Sequence, residues 1–278
     1  MTARLVAEGV RPVLGQPIAV ENRPGANSII GAQAVLTAPP DGYTYFVAGV
    51  TTFLLDKLMP TVPFNPREDF QLVSPLSFAK FAVLTRADTG ATNMAEAIKL
   101  AKGSSKPLAF GSFGVATAGH FAQIELQRRS GGDVVHVPYK GASLAINALL
   151  GGEIDFTYAP LSSVQQHIAN GKLVPLAVTG PSRAASLPAV PTLTELGMKG
   201  FETDTWVALW ARRDVDPAIA RKLGADIQTV LSGKGLADSM KSNQLQPAAV
   251  EVDQFRSSME SNLKQIRQII EAENIKLT

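Results

Sequence analysis

The sequence predicts an α/β protein of two lobes, the second inserted into the first. Three observations carry that expectation. Short β-branched and aromatic runs alternate with segments of helical period, the pattern of βαβ units and a mostly parallel sheet. The alternation is densest across residues 106–205, behind the linker-like Gly103-Ser104-Ser105-Lys106-Pro107. After Pro217 the pattern turns helical. Lobe 1 is therefore expected at 1–105 plus 206–278 and lobe 2 at 106–205, joined by two crossings as in hinged proteins.

Taken in order, residues 3–14 carry apolar side chains at helical spacing, with Gly15 as the stop. Residues 18–20 form a short β-prone run, closed by Asn22-Arg23-Pro24-Gly25. Residues 28–37 read as a helix that Pro39-Pro40-Asp41-Gly42 turns, and 43–50 as a buried strand. The apolar stretch 70–85 fits two strands, or a strand and a crossover, and 94–102 is a helix. Strands are then expected at 108–110, 134–137, 154–158 and 173–179, with helices at 117–129, 143–150 and 161–169 between them. A return strand at 202–211 leads to helices near 218–231 and 253–272. Met1 opens within a helix, with no basic-then-apolar leader. A strand and an export signal are thus expected upstream in the natural gene product.

Composition narrows the function classes. With 278 residues and 45% hydrophobic content the chain can bury a substantial core. The formal charge is +2 and Lys and Arg are scattered, so no nucleic-acid partner is expected. Apolar stretches such as 206–211 are too short to span a bilayer. The absence of cysteine excludes disulfides, thiol nucleophiles and thiolate metal sites. His120, His136 and His167 lack metal-ligand spacing; no H-E-x-x-H, G-x-S-x-G, Walker A or G-x-G-x-x-G pattern occurs. His136, in an apolar strand, reads as structural. Asp41, Glu153 and Asp155 are not paired by any pattern. Binding is favoured over catalysis, and no cofactor or metal is expected.

Four strand-to-helix junctions are rich in small and hydroxyl residues. They hold Gly25, Ala26, Asn27 and Ser28; Thr51 and Thr52; Ser112, Phe113, Val115, Ala116 and Thr117; and Lys140 with Gly141. Such a junction points backbone N–H groups at an anion from the positive end of a helix. Thr117 or Ser112 could add a hydroxyl donor. Tight turns and N-caps would use the same residues. In open α/β sheets ligands gather beyond the carboxyl ends of strands, so two facing sheets would bring these loops to one cleft.

These segments resemble the Bug-type, TctC-like receptors of tripartite tricarboxylate transporters. The matching runs are Val20-Glu21-Asn22-Arg23-Pro24-Gly25-Ala26, Ala38-Pro39-Pro40-Asp41-Gly42-Tyr43, and Gly111-Ser112-Phe113-Gly114 with Thr117 and His120. Val137-Pro138-Tyr139-Lys140-Gly141, Leu149-Leu150-Gly151-Gly152-Glu153-Ile154-Asp155 and Leu187-Pro188-Ala189-Val190-Pro191-Thr192 follow in the family's order. The resemblance implies a two-lobed type II periplasmic-binding fold, a Venus flytrap, lacking here the family's first strand. It implies capture of a small carboxylate (a di- or tricarboxylate, an amino acid or an aromatic acid) through main-chain amides, hydroxyls and water. Delivery to a large and a small membrane subunit would follow, in the periplasm. A sensor of the same fold signalling to a partner is the alternative, and a small-molecule enzyme a third reading.

The sequence also departs from the family. Asn27 and Ser28 stand where two glycines are usual, Ala116 where one is, and Arg212-Arg213-Asp214-Val215-Asp216-Pro217 replaces a Pro-Ala-Gly-Thr-Pro run. Lys140 is a candidate for ligand charge, as are Arg23 and Arg86, against ordinary surface roles. Asp155 holds a water or hydroxyl near the cleft, or caps a turn. Trp206 and Trp210 share strand parity; Trp210 is assigned to the core and Trp206 to the pocket wall.

Overall fold

Helical spacing of apolar residues folds Thr2–Leu14 into α1, which buries Val6, Ala7 and Val10 and stops at Gly15 in the left-handed region, φ 68°. The computed structural model describes residues 1–23, 28–59, 61–115, 117–198, 201, 205–242 and 245–272. The chain divides into unit 1, Met1–Ala79 with Thr205–Arg267, and unit 2, Lys80–Asp204 with Gln268–Thr278.

Unit 1 continues with α2 (Ile29–Leu36), β1 (Tyr45–Gly49), a 3-10 turn (Val50–Leu54), α3 (Leu55–Leu58) and β2 (Phe70–Ala79). It resumes at β8 (Thr205–Arg212), followed by α8 (Pro217–Ser232), α9 (Lys234–Ser242), the two-residue β9 (Gln246–Pro247) and α10 (Val252–Ala272), whose residues after Arg267 count with unit 2 and not, as expected, with 206–278 in one lobe. The run at 18–20 is not a strand. Ile18 is 43% exposed. A strand needs a ladder partner, and none of the described strands offers one. The sheet order is β1-β8-β2-β9 and every pairing is antiparallel, against the mostly parallel sheet expected. β1 and β2 do run the same way; β8 is threaded between them in the opposite direction.

β2 carries Pro75 inside the sheet, which a strand tolerates only at an irregularity. Register shifts lie between Leu72 and Ser74 and between Pro75 and Ser77. Gln228 of α8 answers the loosened backbone: its Nε2 donates to Ser74 Oγ at 2.8 Å and to Pro75 O at 3.1 Å. α8 approaches so closely that a Cβ on Gly224 would lie 2.4 Å from Val73 O.

Unit 2 begins where β2 ends. The apolar stretch 70–85 is two strands, one in each unit, and the chain crosses at Ala79 and Lys80. The elements are β3 (Phe81–Arg86), α4 (Met94–Gly103), β4 (Leu108–Ser112), α5 (Ala118–Ser130), β5 (Val134–Pro138), α6 (Ala142–Gly151), β6 (Phe156–Pro160), α7 (Leu161–Ala169) and β7 (Leu173–Val178). Their sheet runs β5-β4-β6-β3-β7, parallel across β5, β4 and β6, with β3 antiparallel to β6 and β7. α6 and α7 bury Ile146, Leu149, Leu161 and Val164 with Ala82 and Leu84 of β3 in one core. The stretch 103–107, read as an interlobe linker, is instead the α4-to-β4 loop inside unit 2. The first crossing therefore stands at 79/80 and not at 105/106, while the second lies at 204/205. Gly, Ser and Pro mark a tight loop and a linker alike.

Gly224→Ala should destabilise unit 1 by about 1–3 kcal/mol, because the clash is with backbone. Gly235→Ala, in α9 with open space around it, should be neutral or stabilising by up to about 1 kcal/mol. Chemical denaturation of the two variants checks the contrast; equal effects would refute the packing argument.

Candidate functional site

In unit 2 the parallel strands β4, β5 and β6 end on one side of the sheet, and α5 starts directly beyond β4. Two glycines bring these pieces together. A Cβ on Gly111 would lie 2.4 Å from Ile154 Cδ1, and one on Gly119 would lie 2.8 Å from Ser112 Cβ and 3.2 Å from Tyr158 Cβ. The first turn of α5 thus rests on the end of the sheet at a distance no side chain would allow.

Between them the loop folds around one carbonyl. Gly114, at φ 145°, bends the chain so that its C=O accepts from Ser112 Oγ at 2.8 Å and from Thr117 Oγ1 at 2.7 Å. Gly114 N–H donates back to Ser112 Oγ at 3.1 Å. Ser112 is 0% exposed and Thr117 8%, so both hydroxyls act inside the protein. Thr117 is the N-cap residue of α5, yet its side chain makes no cap hydrogen bond. Its carbonyl takes the N–H groups of His120 and Phe121. The first-turn N–H groups of Ala118 and Gly119, which have no intrahelical acceptor, stay uncapped by Thr117.

Beneath the loop two imidazoles stack. The rings of His120 on α5 and His136 on β5 lie 4.0 Å apart and 9° from parallel. His136 Nε2 is 2.7 Å from Ser112 Oγ. Burial, with the neighbouring His120 second, pushes the His136 pKa down to about 4; burial lowers that of His120 as well. Phe113 packs over Phe81 and Tyr158, with centroids 5.7 and 6.1 Å away. No group of three or more His, Cys, Asp or Glu side chains suited to a metal occurs among the described residues.

The model of the tripartite tricarboxylate transporter family receptor matches residues 2–275. The chain belongs to that receptor family. It is 31% identical to a UPF0065 protein of Bordetella pertussis over 89% of this chain and 76% of that one. The solved periplasmic binding protein BugD is 26% identical, with a TM-score of 0.81 over 99% of this receptor and 93% of BugD. An R. palustris protein solved with adipate, 24% identical, shares the fold with a TM-score of 0.82 over 99% and 93%. The matched family and solved relatives are receptors and solute-binding proteins, not enzymes.

In this receptor the candidate residues separate. Ser112, Phe113, Val115 and Thr117 share the junction just described. Lys140 is exposed and Gly141, at φ 137°, precedes α6 at the end of the adjacent strand β5. Asp155 is elsewhere: its Oδ2 accepts from Ala109 N–H at 2.8 Å, at the opposite end of β4 from Ser112. Because the strands are parallel, their beginnings and their loops occupy opposite sides of the sheet, so Asp155 is a strand fastener. Trp206 is 1% exposed, packed in unit 1 against Phe53, Trp210 and Phe255, which makes it core and not pocket wall.

Thr52 is buried and Thr51 half-buried in the 3-10 turn after β1. Arg86 pairs with Asp88 and donates to Ile154 O, and Arg23 pairs with Glu21, so both arginines have local roles. Gly25, Ala26, Asn27 and Ala116 lie outside the described residues. Sequence reasoning quoted Gly114 only as part of a motif, with no role, and missed Gly119 and the His120–His136 stack. Glycine spacing within the loop was the one available signal.

Ser28 adopts φ 75°, the one non-glycine residue with positive φ among those described. Ser28→Gly should raise stability by about 0.5–1 kcal/mol in denaturant titrations, the left-handed cost less the entropy of glycine. A second expectation concerns pH. Unfolded imidazoles protonate near their ordinary value of 6.5, while burial lowers both in the folded state, His136 to about 4. The unfolded state binds more protons in that window, so stability should fall as pH drops from 6.5 towards about 4. In His136→Phe that part of the slope should vanish; an unchanged slope would refute it.

Proposed function

We propose that this receptor works in the periplasm, captures a small carboxylate at the 112–117 junction, and delivers it to a large and a small membrane subunit of its transporter. One observation carries the reading. Thr117 spends its hydroxyl proton on Gly114 O, 2.7 Å away, and leaves the start of α5 uncapped. Uncapped first-turn amides at the positive end of a helix are donors for an anion. No arginine is needed for such a cradle. Family membership supports the receptor role, and a protein of this fold is solved with adipate, a dicarboxylate. Thr117 then acts by shaping the loop and does not itself donate to the carboxylate.

Calorimetry against di- and tricarboxylates, amino acids and aromatic acids tests this. At least one class should bind and be recovered unchanged. Thr117→Val should weaken it about ten-fold, the loss of roughly one charge-assisted hydrogen bond as the loop slackens. Deleting the gene should abolish uptake of the same acid by cells. Binding of none of the panel, or chemical turnover of any, would overturn the proposal.

A further inference from the structure

We propose that His136 is a positioning residue of the binding loop: its Nε2–H holds the Ser112 hydroxyl onto the Gly114 carbonyl, and this aims the Val115 N–H at the ligand carboxylate. The inference rests on the reading of the 112–117 junction as the binding site.

Proton counting assigns the tautomer. Ser112 Oγ has three polar neighbours: Gly114 O at 2.8 Å, Gly114 N at 3.1 Å and His136 Nε2 at 2.7 Å. A serine hydroxyl offers one proton and two acceptor lone pairs. Gly114 N–H can only donate and Gly114 O can only accept. The Ser112 proton therefore goes to Gly114 O, and its second lone pair must receive a proton from His136. That requires the hydrogen on Nε2. The other tautomer would draw the Ser112 proton to His136 and leave two oxygens facing each other at 2.8 Å with no proton between them. The stack on His120, at 4.0 Å, holds the ring in the plane this bond needs.

The consequence passes through a single peptide unit. The bond between Gly114 and Val115 is trans and planar, so its C=O and N–H point in opposite directions. Two buried hydroxyls pull the carbonyl inward, and the Val115 N–H must then point outward. Val115 is half-buried, and its N–H has no acceptor among the described residues. A peptide fixed before the ligand arrives loses less on binding than one that must rotate. His136 is thus two hydrogen bonds removed from the Gly114–Val115 peptide and still sets the direction of a ligand-facing donor.

Two measurements test this. Nitrogen-15 NMR of the histidine-labelled receptor should show His136 protonated at Nε2 and bare at Nδ1. Calorimetry with the carboxylate that binds best should show His136→Phe, which keeps an aromatic ring on His120, weakened about ten-fold. His136→Gln, which restores an N–H donor, should recover most of that loss. Ser112→Ala should cost about as much as His136→Phe, and the double variant little more than either, since both act through one bond. A purely packing role would give no rescue by Gln and no such coupling. Should His136→Phe fail to fold, the tautomer and Ser112→Ala still decide the matter. A proton on Nδ1, or wild-type affinity in both His136→Phe and Ser112→Ala, overturns the inference and leaves the site intact. A wild-type receptor that binds no carboxylate removes the site and the inference together.

Discussion

The close approach of α5 to the end of β4 depends on Gly119, where a single methyl group would meet Ser112 and Tyr158. Close-packed interiors give way little to such an intrusion. With the helix seated this deep, a loop of a few residues must turn from strand to helix, and a carbonyl is driven inward as it does so. A buried carbonyl without a partner is costly, and Gly114 O receives two hydroxyl protons. Everything distinctive about the junction follows from that arrangement, including the uncapped start of α5 and the alignment of His136.

Unit 1 meets the same requirement by a different route. β2 is buried along most of its length and carries a proline, so its ladder cannot be regular. Gln228 reaches from α8 to fill the gap, donating to Ser74 and Pro75, while its carbonyl oxygen accepts from Val250 N–H at 3.0 Å. That one side chain ties α8, the bulged strand and the approach to α10. Elsewhere in the unit Phe53, Trp206, Trp210 and Phe255 pack on one another as an aromatic group. In both units a small residue admits a helix and a polar side chain then satisfies the exposed backbone.

Much of the secondary structure was legible in the sequence, most fully where periodicity was strong and the stop signals local. The helix over Leu161–Ala169 matches its expected span, and the helices beginning at Met94, Ala118 and Pro217 differ by a residue or so at each end. The run at 18–20 has the composition of a strand, but pairing is a property of two segments and composition describes one. The boundary expected at 105/106 failed for a related reason: 103–107 has loop chemistry, and nothing in it says whether the loop joins elements or lobes. The true crossing, at Ala79 and Lys80, lies between two apolar strands with no punctuation at all.

The sequence by itself determined that this is an α/β receptor-like chain. It gave no chemistry for catalysis, and it placed a junction rich in Gly, Ser and Thr ahead of α5. Those features depend on which residues are present and how they are spaced along the chain. Only the tertiary structure decided what the residues do. It turned the Ser112 and Thr117 hydroxyls inward, stacked His136 on His120 from two different elements, carried Asp155 to the far end of β4 and sealed Trp206 in a core. A side chain's role is set by the direction of its polar atoms and the partners within about 3 Å of them. Those partners come from elements brought together only by the packing of the sheet and its helices.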